Sequence, residues 1–212
     1  MTLTLDRARN RLYDGRGRRF EAGERAWVES GSGDAPAASL EPLSPEAAVL
    51  WLQRDSGRPL RAPVGVVGPR SASAKQLAMA EALGAGLAGL GLTVLCGGRE
   101  GVMEAVCRGV AGAGGLSVGL LPDDSWTAAN PYVTLPLATG LGVARNAVVA
   151  RAAVLLVAVG GGYGTTSEMA FALQFGRPVL GLDDAPDLPG VTRLASVEQA
   201  LTFLCARLLD LP

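Results

Sequence analysis

The sequence predicts an α/β fold, a doubly wound and mostly parallel Rossmann-like sheet with a small N-terminal appendage. Three observations support this. Short apolar segments without in–out alternation recur from Pro63 onward, segments of helical period alternate with them, and three of the apolar segments end in glycine-rich turns. Continuous apolar strands indicate burial on both faces of a sheet. Their alternation with helices indicates right-handed crossovers between parallel strands.

The N-terminal appendage covers residues 1–61, which are rich in arginine and aspartate. Turn signals at Asp14-Gly15 and at Gly31-Ser32-Gly33 predict a small hairpin in which residues 12–13 pair with 26–28. Ser44-Pro45-Glu46 supplies an N-cap, a proline at the first helical position and an acidic first turn, which predicts a helix over 46–54. We expect one face of this helix (Ala47, Leu50 and Trp51) to dock on the main domain.

The main domain covers residues 62–212 and is predicted to bind a nucleotide. Its predicted strands span residues 64–67, 92–96, 116–121, 132–137, 154–159 and 178–182. The fourth strand is the weakest prediction because it contains Pro136. Helices are predicted to end near residues 90, 112, 152, 175 and 209, the third of them beginning at Gly142 and the last capped by Ser196.

Composition excludes several classes of protein. The 212 residues carry a formal net charge of −1, which argues against a broad basic surface for nucleic acid. The chain has no histidine, which excludes a Ser-His-Asp triad and histidine-ligated metals. Lys75 is the one lysine available for a Schiff base, so we reject a pyridoxal-phosphate enzyme. The first glycine loop lacks the GxGxxG pattern of a redox Rossmann enzyme. We expect no cofactor and no metal.

The sequence also carries signals of location. Cys96, Cys107 and Cys205 have neither CxxC nor zinc spacing, which predicts reduced thiols in a cytoplasmic protein. Charged residues interrupt any apolar core of a signal peptide near the start. The apolar run 152–159 is far shorter than the roughly 18 residues that a membrane span needs. We therefore expect a soluble protein with no membrane partner.

Three glycine-rich loops, residues 68–73, 97–101 and 160–166, follow predicted strands. In a doubly wound sheet such loops share the edge where ligands bind. Each loop feeds a helix N-terminus, whose free N–H groups and partial positive charge suit a phosphate. Glycine in a tight turn is also explained by geometry alone, but three such loops on one edge favour a phosphate-bearing ligand.

Glu168 and Arg145 are the candidate reactive side chains. Thr165, Thr166 and Ser167 place three hydroxyls at a helix start, and Glu168 follows them. Thr165 and Glu168 also fit a capping box, which would explain the carboxylate without chemistry. Arg145 lies in the first turn of a helix, where a cation opposes the helix dipole. A ligand phosphate or Glu168 would justify it, and the alternative is an arginine that ties a loop or an interface.

The order of these motifs resembles the LONELY GUY family, Rossmann-like proteins long labelled as lysine decarboxylases. The matching segments are Gly97-Gly98-Arg99-Glu100-Gly101-Val102-Met103-Glu104, then Arg145-Asn146, then Gly160-Gly161-Gly162-Tyr163-Gly164-Thr165-Thr166-Ser167-Glu168. Asn146 replaces the lysine, and Gly160 the proline, of the hormone-activating members. Both departures fit better a bacterial branch of the superfamily whose activity is largely unassigned. The resemblance covers about residues 63–209.

The resemblance implies catalytic roles for Glu168 and Arg145 and a nucleotide held by the glycine loops. The candidate binding residues are Gly68, Ser71, Gly97, Gly98, Gly101, Met103, Asn146, Gly161, Gly162, Tyr163, Gly164, Thr165 and Thr166. Two functions follow. The first is hydrolysis of the N-glycosidic bond of a nucleoside 5′-monophosphate. The second is a carrier or sensor without turnover, since molybdenum-cofactor carriers share this fold and bind a phosphorylated pterin. The resemblance also implies a homodimer or larger homo-oligomer.

Overall fold

A computed structural model describes residues 2–31 and 40–211 of the chain. Most of the predicted turn signal at Gly31-Ser32-Gly33 lies outside these residues. The chain forms two compact units, one made of residues 1–60 together with 201–212 and the other of residues 61–200. The first unit therefore combines the two ends of the chain.

The N-terminal unit contains a five-stranded antiparallel sheet in the order β4-β3-β2-β1-β5. Its strands are β1 (Leu3–Asp6), β2 (Arg11–Asp14), β3 (Arg19–Glu21), β4 (Ala26–Val28) and β5 (Glu41–Leu43). The predicted pairing of 12–13 with 26–28 is wrong, because β3 lies between them: Tyr13 pairs with Arg19, and Phe20 with Trp27. A three-residue strand with charged residues at both ends carries too little apolar pattern to be read from sequence.

The predicted helix of this unit is confirmed as α1 (Pro45–Arg54), which begins at the Ser44 cap. The Ser44 hydroxyl accepts a hydrogen bond from the Ala47 N–H at 3.1 Å. The buried residues of α1 are Ala48, Val49, Trp51 and Leu52. The buried face of the helix is therefore rotated from the predicted face of Ala47, Leu50 and Trp51. The helix packs against β1 and β5 of its own unit.

The second unit contains a sheet of seven parallel strands, in the order β12-β11-β10-β6-β7-β8-β9. They are β6 (Val64–Val67), β7 (Val94–Cys96), β8 (Ser117–Leu121), β9 (Leu135–Ala138), β10 (Leu155–Val159), β11 (Val179–Leu182) and β12 (Val191–Arg193). The predicted fold class is confirmed. The sequence did not indicate β12, whose three residues lie at the edge of the sheet and remain partly exposed.

Helices connect these strands as α2 (Ala74–Gly89), α3 (Val102–Gly112), α4 (Arg145–Ala152) and α5 (Tyr163–Gln174), and α6 (Val197–Leu208) follows β12. A 3₁₀ turn at Gly142–Ala144 occupies the start of the helix predicted from residue 142. Gly142 has φ +54°, a left-handed value that an α-helix does not accept. No helix in the described ranges is both long and apolar enough to cross a bilayer.

The strand order places a topological switch between β6 and β10. The chain builds β6 to β9 toward one edge and then returns to place β10 on the other side of β6. The loops after these two neighbouring strands therefore run in opposite directions and open a crevice at the carboxyl edge of the sheet. All five residues of β10 and all four of β6 are buried, so this crevice is built on the core of the unit.

The C-terminal end of the chain packs within the N-terminal unit, and no sequence motif predicts the hydrogen bonds that hold it there. The indole N–H of Trp27 donates to the carbonyl of Leu209 at 2.7 Å. An Arg25 Nη2 donates to the carbonyl of Arg207 at 3.0 Å. Two side chains from one short segment thus satisfy carbonyls at the end of α6, which an α-helix leaves without internal partners.

Helices α2 and α3 approach each other so closely that their backbones touch at two glycines. A Cβ on Gly84 would lie 2.2 Å from the carbonyl oxygen of Val106, and one on Gly109 would lie 2.0 Å from that of Glu81. At both places the added Cβ would clash with a backbone carbonyl oxygen, which cannot move aside as the end of a flexible side chain can. The helix pair therefore depends on both glycines.

We expect Gly109→Ala to lower the free energy of unfolding by roughly 2–3 kcal/mol, because the added methyl group forces the helices apart. Gly112→Ala is the matched control on the same helix, since a Cβ there meets nothing within 4 Å. It should leave stability unchanged or raise it by up to about 1 kcal/mol through helix propensity. Urea unfolding followed by circular dichroism measures both. Equal effects of the two substitutions would contradict this account of the helix contact.

Candidate functional site

A cavity of about 280 Å³ opens at the carboxyl edge of the parallel sheet. The loops after β6 and β10, the start of α4 and the first turns of α5 contribute to its wall. The lining residues are Gly68, Pro69, Arg70, Met103, Pro122, Gly142, Val143, Arg145, Asn146, Gly162, Gly164, Thr165 and Glu168. Among the residues that the structure describes, no three His, Cys, Asp or Glu side chains are grouped so that they could hold a metal ion.

Arg145 and Glu168 form a buried ion pair in the wall of this cavity. The Nη1 of Arg145 donates to Oε1 of Glu168 at 3.4 Å, and the two side chains are only 8% and 9% exposed. Arg145 is the first residue of α4, and Glu168 lies in the second turn of α5. The structure therefore joins the two candidate reactive residues and justifies a cation in the first turn of a helix.

The capping-box explanation of Glu168 is wrong. The helix begins at Tyr163 with Gly162 as its N-cap, and no side chain caps it. Thr165 is therefore already inside the helix and does not stand at its N-cap. Glu168 lies too far along the helix to reach the N-cap N–H, and its carboxylate faces Arg145 instead.

Burial controls the charge state of this pair. It raises the pKa of Glu168 from 4.5 to about 7, and the charge of Arg145 only partly opposes the shift. Burial also lowers the pKa of Arg145, and the positive charges of Arg70 and Arg99 act in the same direction. The site thus holds a carboxyl group that is close to half protonated at neutral pH, beside a cluster of cations.

Gly97 leaves space for the guanidinium of Arg145 because it has no side chain. A Cβ at Gly97 would lie 2.4 Å from Nη1 of Arg145 and 2.7 Å from the sulfur of Met103. Only glycine leaves room for these two side chains, so this loop glycine acts by positioning Arg145. The Nε of Arg145 is buried and has no hydrogen-bond acceptor among the described residues, which leaves one donor of the group available.

The first two glycine loops touch each other, as their shared edge requires. Gly101 has φ +73°, and a Cβ there would lie 2.2 Å from the carbonyl oxygen of Arg70. Asn130 holds the second loop by donating from its side chain to the carbonyls of Gly98 and Arg99, at 3.2 and 3.0 Å. Arg99 also pairs with Asp123. Sequence reasoning missed Asn130, which lies in an irregular segment without a motif.

The three helix N-termini behind the glycine loops differ in whether they are already satisfied. Helix α2 has a complete capping box, formed by Ser73 and Gln76. Helix α3 uses its first N–H, that of Val102, to bond the carbonyl of Pro69 at 3.1 Å. Helix α5 has no side-chain cap and borders the cavity. Helices α3 and α5 both lack a side-chain cap, and residues at the start of each line the cavity, so both can receive an anion there.

The three hydroxyls at the start of α5 have different surroundings. Thr165 is buried and lines the cavity. Thr166 donates to the carbonyl of Gly162 at 2.9 Å, and Ser167 donates to that of Gly164 at 2.7 Å. These two hydroxyls satisfy the backbone of their own helix. Ser167 also accepts a hydrogen bond at 2.8 Å from the side-chain amide of Asn146, and this bond links α4 to α5. Asn146 lines the cavity as well.

The remaining candidate residues divide into those that line the cavity and those that do not. Gly68, Met103, Asn146, Gly162, Gly164 and Thr165 line it, together with Arg145 and Glu168. The candidates outside its wall are Ser71, Gly97, Gly98, Gly101, Gly161, Tyr163 and Thr166. The side chain of Tyr163 is 98% exposed.

Sequence reasoning also missed five lining residues: Pro69, Arg70, Pro122, Gly142 and Val143. Arg70 is the most informative of them, because it adds a cation that faces the same cavity as Arg145. A signal existed for it, since an arginine within the first glycine loop must lie at the ligand-binding edge. Val143 and Gly142 carry no such signal, because their position depends on the 3₁₀ turn that precedes α4.

The fold and the site together define a Rossmann-like protein of the LOG-like superfamily, as the ordered motifs suggested. More narrowly, the chain belongs to the SLOG cluster4 family, whose model matches residues 61–203. An uncharacterized protein from Archaeoglobus fulgidus is 34% identical over 140 residues, which are 66% of this chain and 92% of the relative.

Two solved structures show close similarity in fold and sequence. The molybdenum cofactor binding protein from Rippkaea orientalis is 33% identical with a TM-score of 0.66, over 70% of this chain and 98% of that one. The molybdenum cofactor carrier protein from Chlamydomonas reinhardtii is 36% identical with a TM-score of 0.64, over 71% and 99%. Both comparisons cover nearly all of the other protein, so about 30% of this chain lies outside them.

The raised pKa of Glu168 predicts a pH dependence of stability. In the folded protein Glu168 keeps its proton up to about pH 7, whereas in the unfolded chain Glu168 releases its proton near pH 4.5. The free energy of unfolding should therefore fall as pH rises between these values, by roughly 3 kcal/mol from this group. Glu168→Gln does not titrate, so the stability difference between wild type and variant should change by that amount across the window.

Urea unfolding from pH 4 to pH 8 measures this difference. Glu100→Gln is the control, because it removes an exposed carboxylate on a neighbouring loop. It should keep the pH dependence of the wild type. A Glu168→Gln variant that also keeps it would show that Glu168 titrates at its ordinary pKa in the folded protein.

Proposed function

We propose that this protein binds a phosphorylated pterin of the molybdenum-cofactor type as cargo and carries it without turnover. The observation on which this rests is an uncapped helix N-terminus that opens into a cavity with two arginines and one carboxylate. Such a terminus among cations suits a phosphate group. The similarity to a molybdenum cofactor binding protein and a molybdenum cofactor carrier protein supports the pterin as the remainder of the ligand.

In this proposal the phosphate lies at the start of α5. The backbone of Gly162 and Gly164, the hydroxyl of Thr165 and the guanidinium of Arg70 hold it. The unpaired Nε of Arg145 supplies a further donor. The cavity volume of about 280 Å³ lies just below the roughly 300–1,000 Å³ of typical ligand pockets. It suits the phosphate and an adjoining ring, and the rest of the cargo would extend toward solvent.

The test uses molybdenum cofactor released from a molybdoenzyme without oxygen and mixed with the purified full chain. Molybdenum should elute with the protein in gel filtration. Thr165→Val should weaken binding about tenfold, because it removes one hydrogen bond to a charged group, and Arg70→Gln should act in the same direction. Thr166→Val is the matched control, since its hydroxyl already bonds Gly162. Failure of molybdenum to co-elute, or equal losses in both threonine variants, would rule out this binding mode.

The Arg145–Glu168 pair favours a second candidate function, hydrolysis of a nucleoside 5′-monophosphate. Water adds to C1′ of the ribose, the N-glycosidic bond breaks, and the products are the free base and ribose 5-phosphate. The ionised form of Glu168 would stabilise the cationic sugar or take a proton from the attacking water, and its protonated form could protonate the leaving base. A pKa of about 7 makes both forms available at neutral pH. Arg145 would hold the phosphate or the ribose hydroxyls.

Incubation with AMP, IMP, CMP and GMP, followed by chromatography of free base, tests this second function. If the protein is a hydrolase, Glu168→Gln should lower base release at least about 100-fold, the usual contribution of a proton-transfer residue. Arg151→Gln is the control, because Arg151 lies on the same helix as Arg145 and stacks on Phe175 outside the cavity. Nucleotide binding without base release would eliminate the hydrolase and leave the carrier.

We also propose that the protein self-associates in the cytoplasm. Leu141, Val143 and Val148, beside the cavity, are 50%, 87% and 39% exposed, which is unusual for apolar side chains that flank a binding site. A second copy of the chain packing there would cover them, and sedimentation velocity of the purified protein tests for it. The free thiols of Cys96 and Cys107, 3.5 Å apart, suit a reducing compartment.

A further inference from the structure

The N-terminal unit contains a cavity of its own, with a volume of about 280 Å³. It lies where the end of α1 meets β2 and β3, and all its lining residues fall within positions 9–58. Four arginines line it (Arg9, Arg11, Arg19 and Arg58), against a single carboxylate, that of Glu21. This part of the chain lies outside the matched family region, and none of its residues lines the cavity at the sheet edge.

Two of these arginines, Arg19 and Arg58, share the carboxylate of Glu21, whereas Arg9 pairs with Asp6. The Nη2 of Arg19 lies 3.6 Å from Oε2 of Glu21, and the Nη1 of Arg58 lies 3.5 Å from its Oε1. Both distances exceed the 2.7–2.9 Å of a strong charged hydrogen bond. The Nε of Arg19 is buried and has no hydrogen-bond acceptor among the residues described. A buried donor without a partner costs free energy, and an oxygen entering the cavity would relieve that cost.

The other side of the cavity is apolar, and its polar atoms are already satisfied. Trp51 and Phe20 contribute aromatic surface to the wall. The indole N–H of Trp51 donates to the side-chain oxygen of Asn10 at 3.0 Å, and the Asn10 amide donates to two carbonyls at the end of α1. The acceptor still required is therefore one for the Nε of Arg19, beside the long contacts that Arg19 and Arg58 make with Glu21. A matching ligand has an anionic head and an apolar or planar body.

We infer that the N-terminal unit binds a small organic anion, a carboxylate or a phosphate ester with an apolar or planar body, between Arg19, Arg58 and the Trp51 wall. The planar guanidinium of Arg19 suits either anion, since both present paired oxygens. The guanidinium groups of Arg19 and Arg58, which share a single carboxylate, attract the ligand, and the apolar wall selects against bare inorganic anions.

Isothermal titration of the purified full chain tests this inference. The probes are phenyl phosphate, phenylacetate, inorganic phosphate, acetate and the uncharged benzyl alcohol. At least one aromatic anion should bind with saturation and more tightly than its inorganic or aliphatic counterpart, and benzyl alcohol should not bind. The order of phenyl phosphate and phenylacetate distinguishes a phosphate ester from a carboxylate as the preferred class.

Variants locate the binding in this cavity. Arg19→Gln and Arg58→Gln should each weaken it about tenfold, the loss of one charged hydrogen bond. Arg16→Gln is the matched control, since this exposed arginine of the same unit lies outside the cavity, and it should change the affinity less than twofold. Thr165→Val, which disturbs the site at the sheet edge, should leave this binding intact. The test therefore succeeds or fails independently of the proposed carrier function.

Three results would overturn the inference: no saturable binding of either aromatic anion, equal binding of benzyl alcohol, or affinities that Arg19→Gln and Arg58→Gln leave unchanged. Circular dichroism confirms that each variant is folded. Arg58 is 73% exposed, so its substitution cannot disrupt a core. If Arg19→Gln fails to fold, Arg58→Gln decides the question by itself.

Discussion

The site at the sheet edge is organised around a buried ion pair. Moving Arg145 and Glu168 out of water is costly, and a single contact at 3.4 Å recovers only part of that cost. The surrounding structure is shaped to hold the pair. Gly97 has no side chain, which leaves room for the guanidinium of Arg145, and Asn146 links α4 to α5 through a hydrogen bond to Ser167. A ligand anion near Arg145 would complete the compensation, which is the physical link between the stability of this unit and its function.

The three glycine loops illustrate that one composition can serve different physical roles. The first loop leads into a helix whose N-terminus caps itself, and the second seats Arg145 and packs on the backbone of the first. The third leads into α5, the helix whose start stays open toward the cavity. Turn geometry and close backbone packing therefore account for much of the first two loops, whereas an electrostatic role of the third loop is part of the proposed function.

The two units also show different strategies for building a cavity. In the second unit, loops that follow parallel strands and the starts of helices meet at one edge of the sheet, so that backbone dipoles act there together with the charges of Arg70, Arg145 and Glu168. The N-terminal unit has short antiparallel strands and a single helix, and its cavity takes its charge from arginine side chains. The family model matches residues 61–203 and therefore does not cover the residues that line the N-terminal cavity.

The amino-acid sequence by itself determined the parallel sheet, because runs such as 64–67 and 154–159 are apolar throughout and can only be buried on both faces. It also determined that Arg145 and Glu168 lie at one edge, since connection order in such a sheet leaves no other place for them. Only the tertiary structure decided that they pair, that the Thr166 hydroxyl bonds its own helix and that Asn130 holds the second glycine loop, because these depend on where α5 begins and how separate loops meet. The antiparallel N-terminal sheet could not be predicted from local sequence patterns for the same reason. Strands of three or four residues acquire their register from partners distant in the chain.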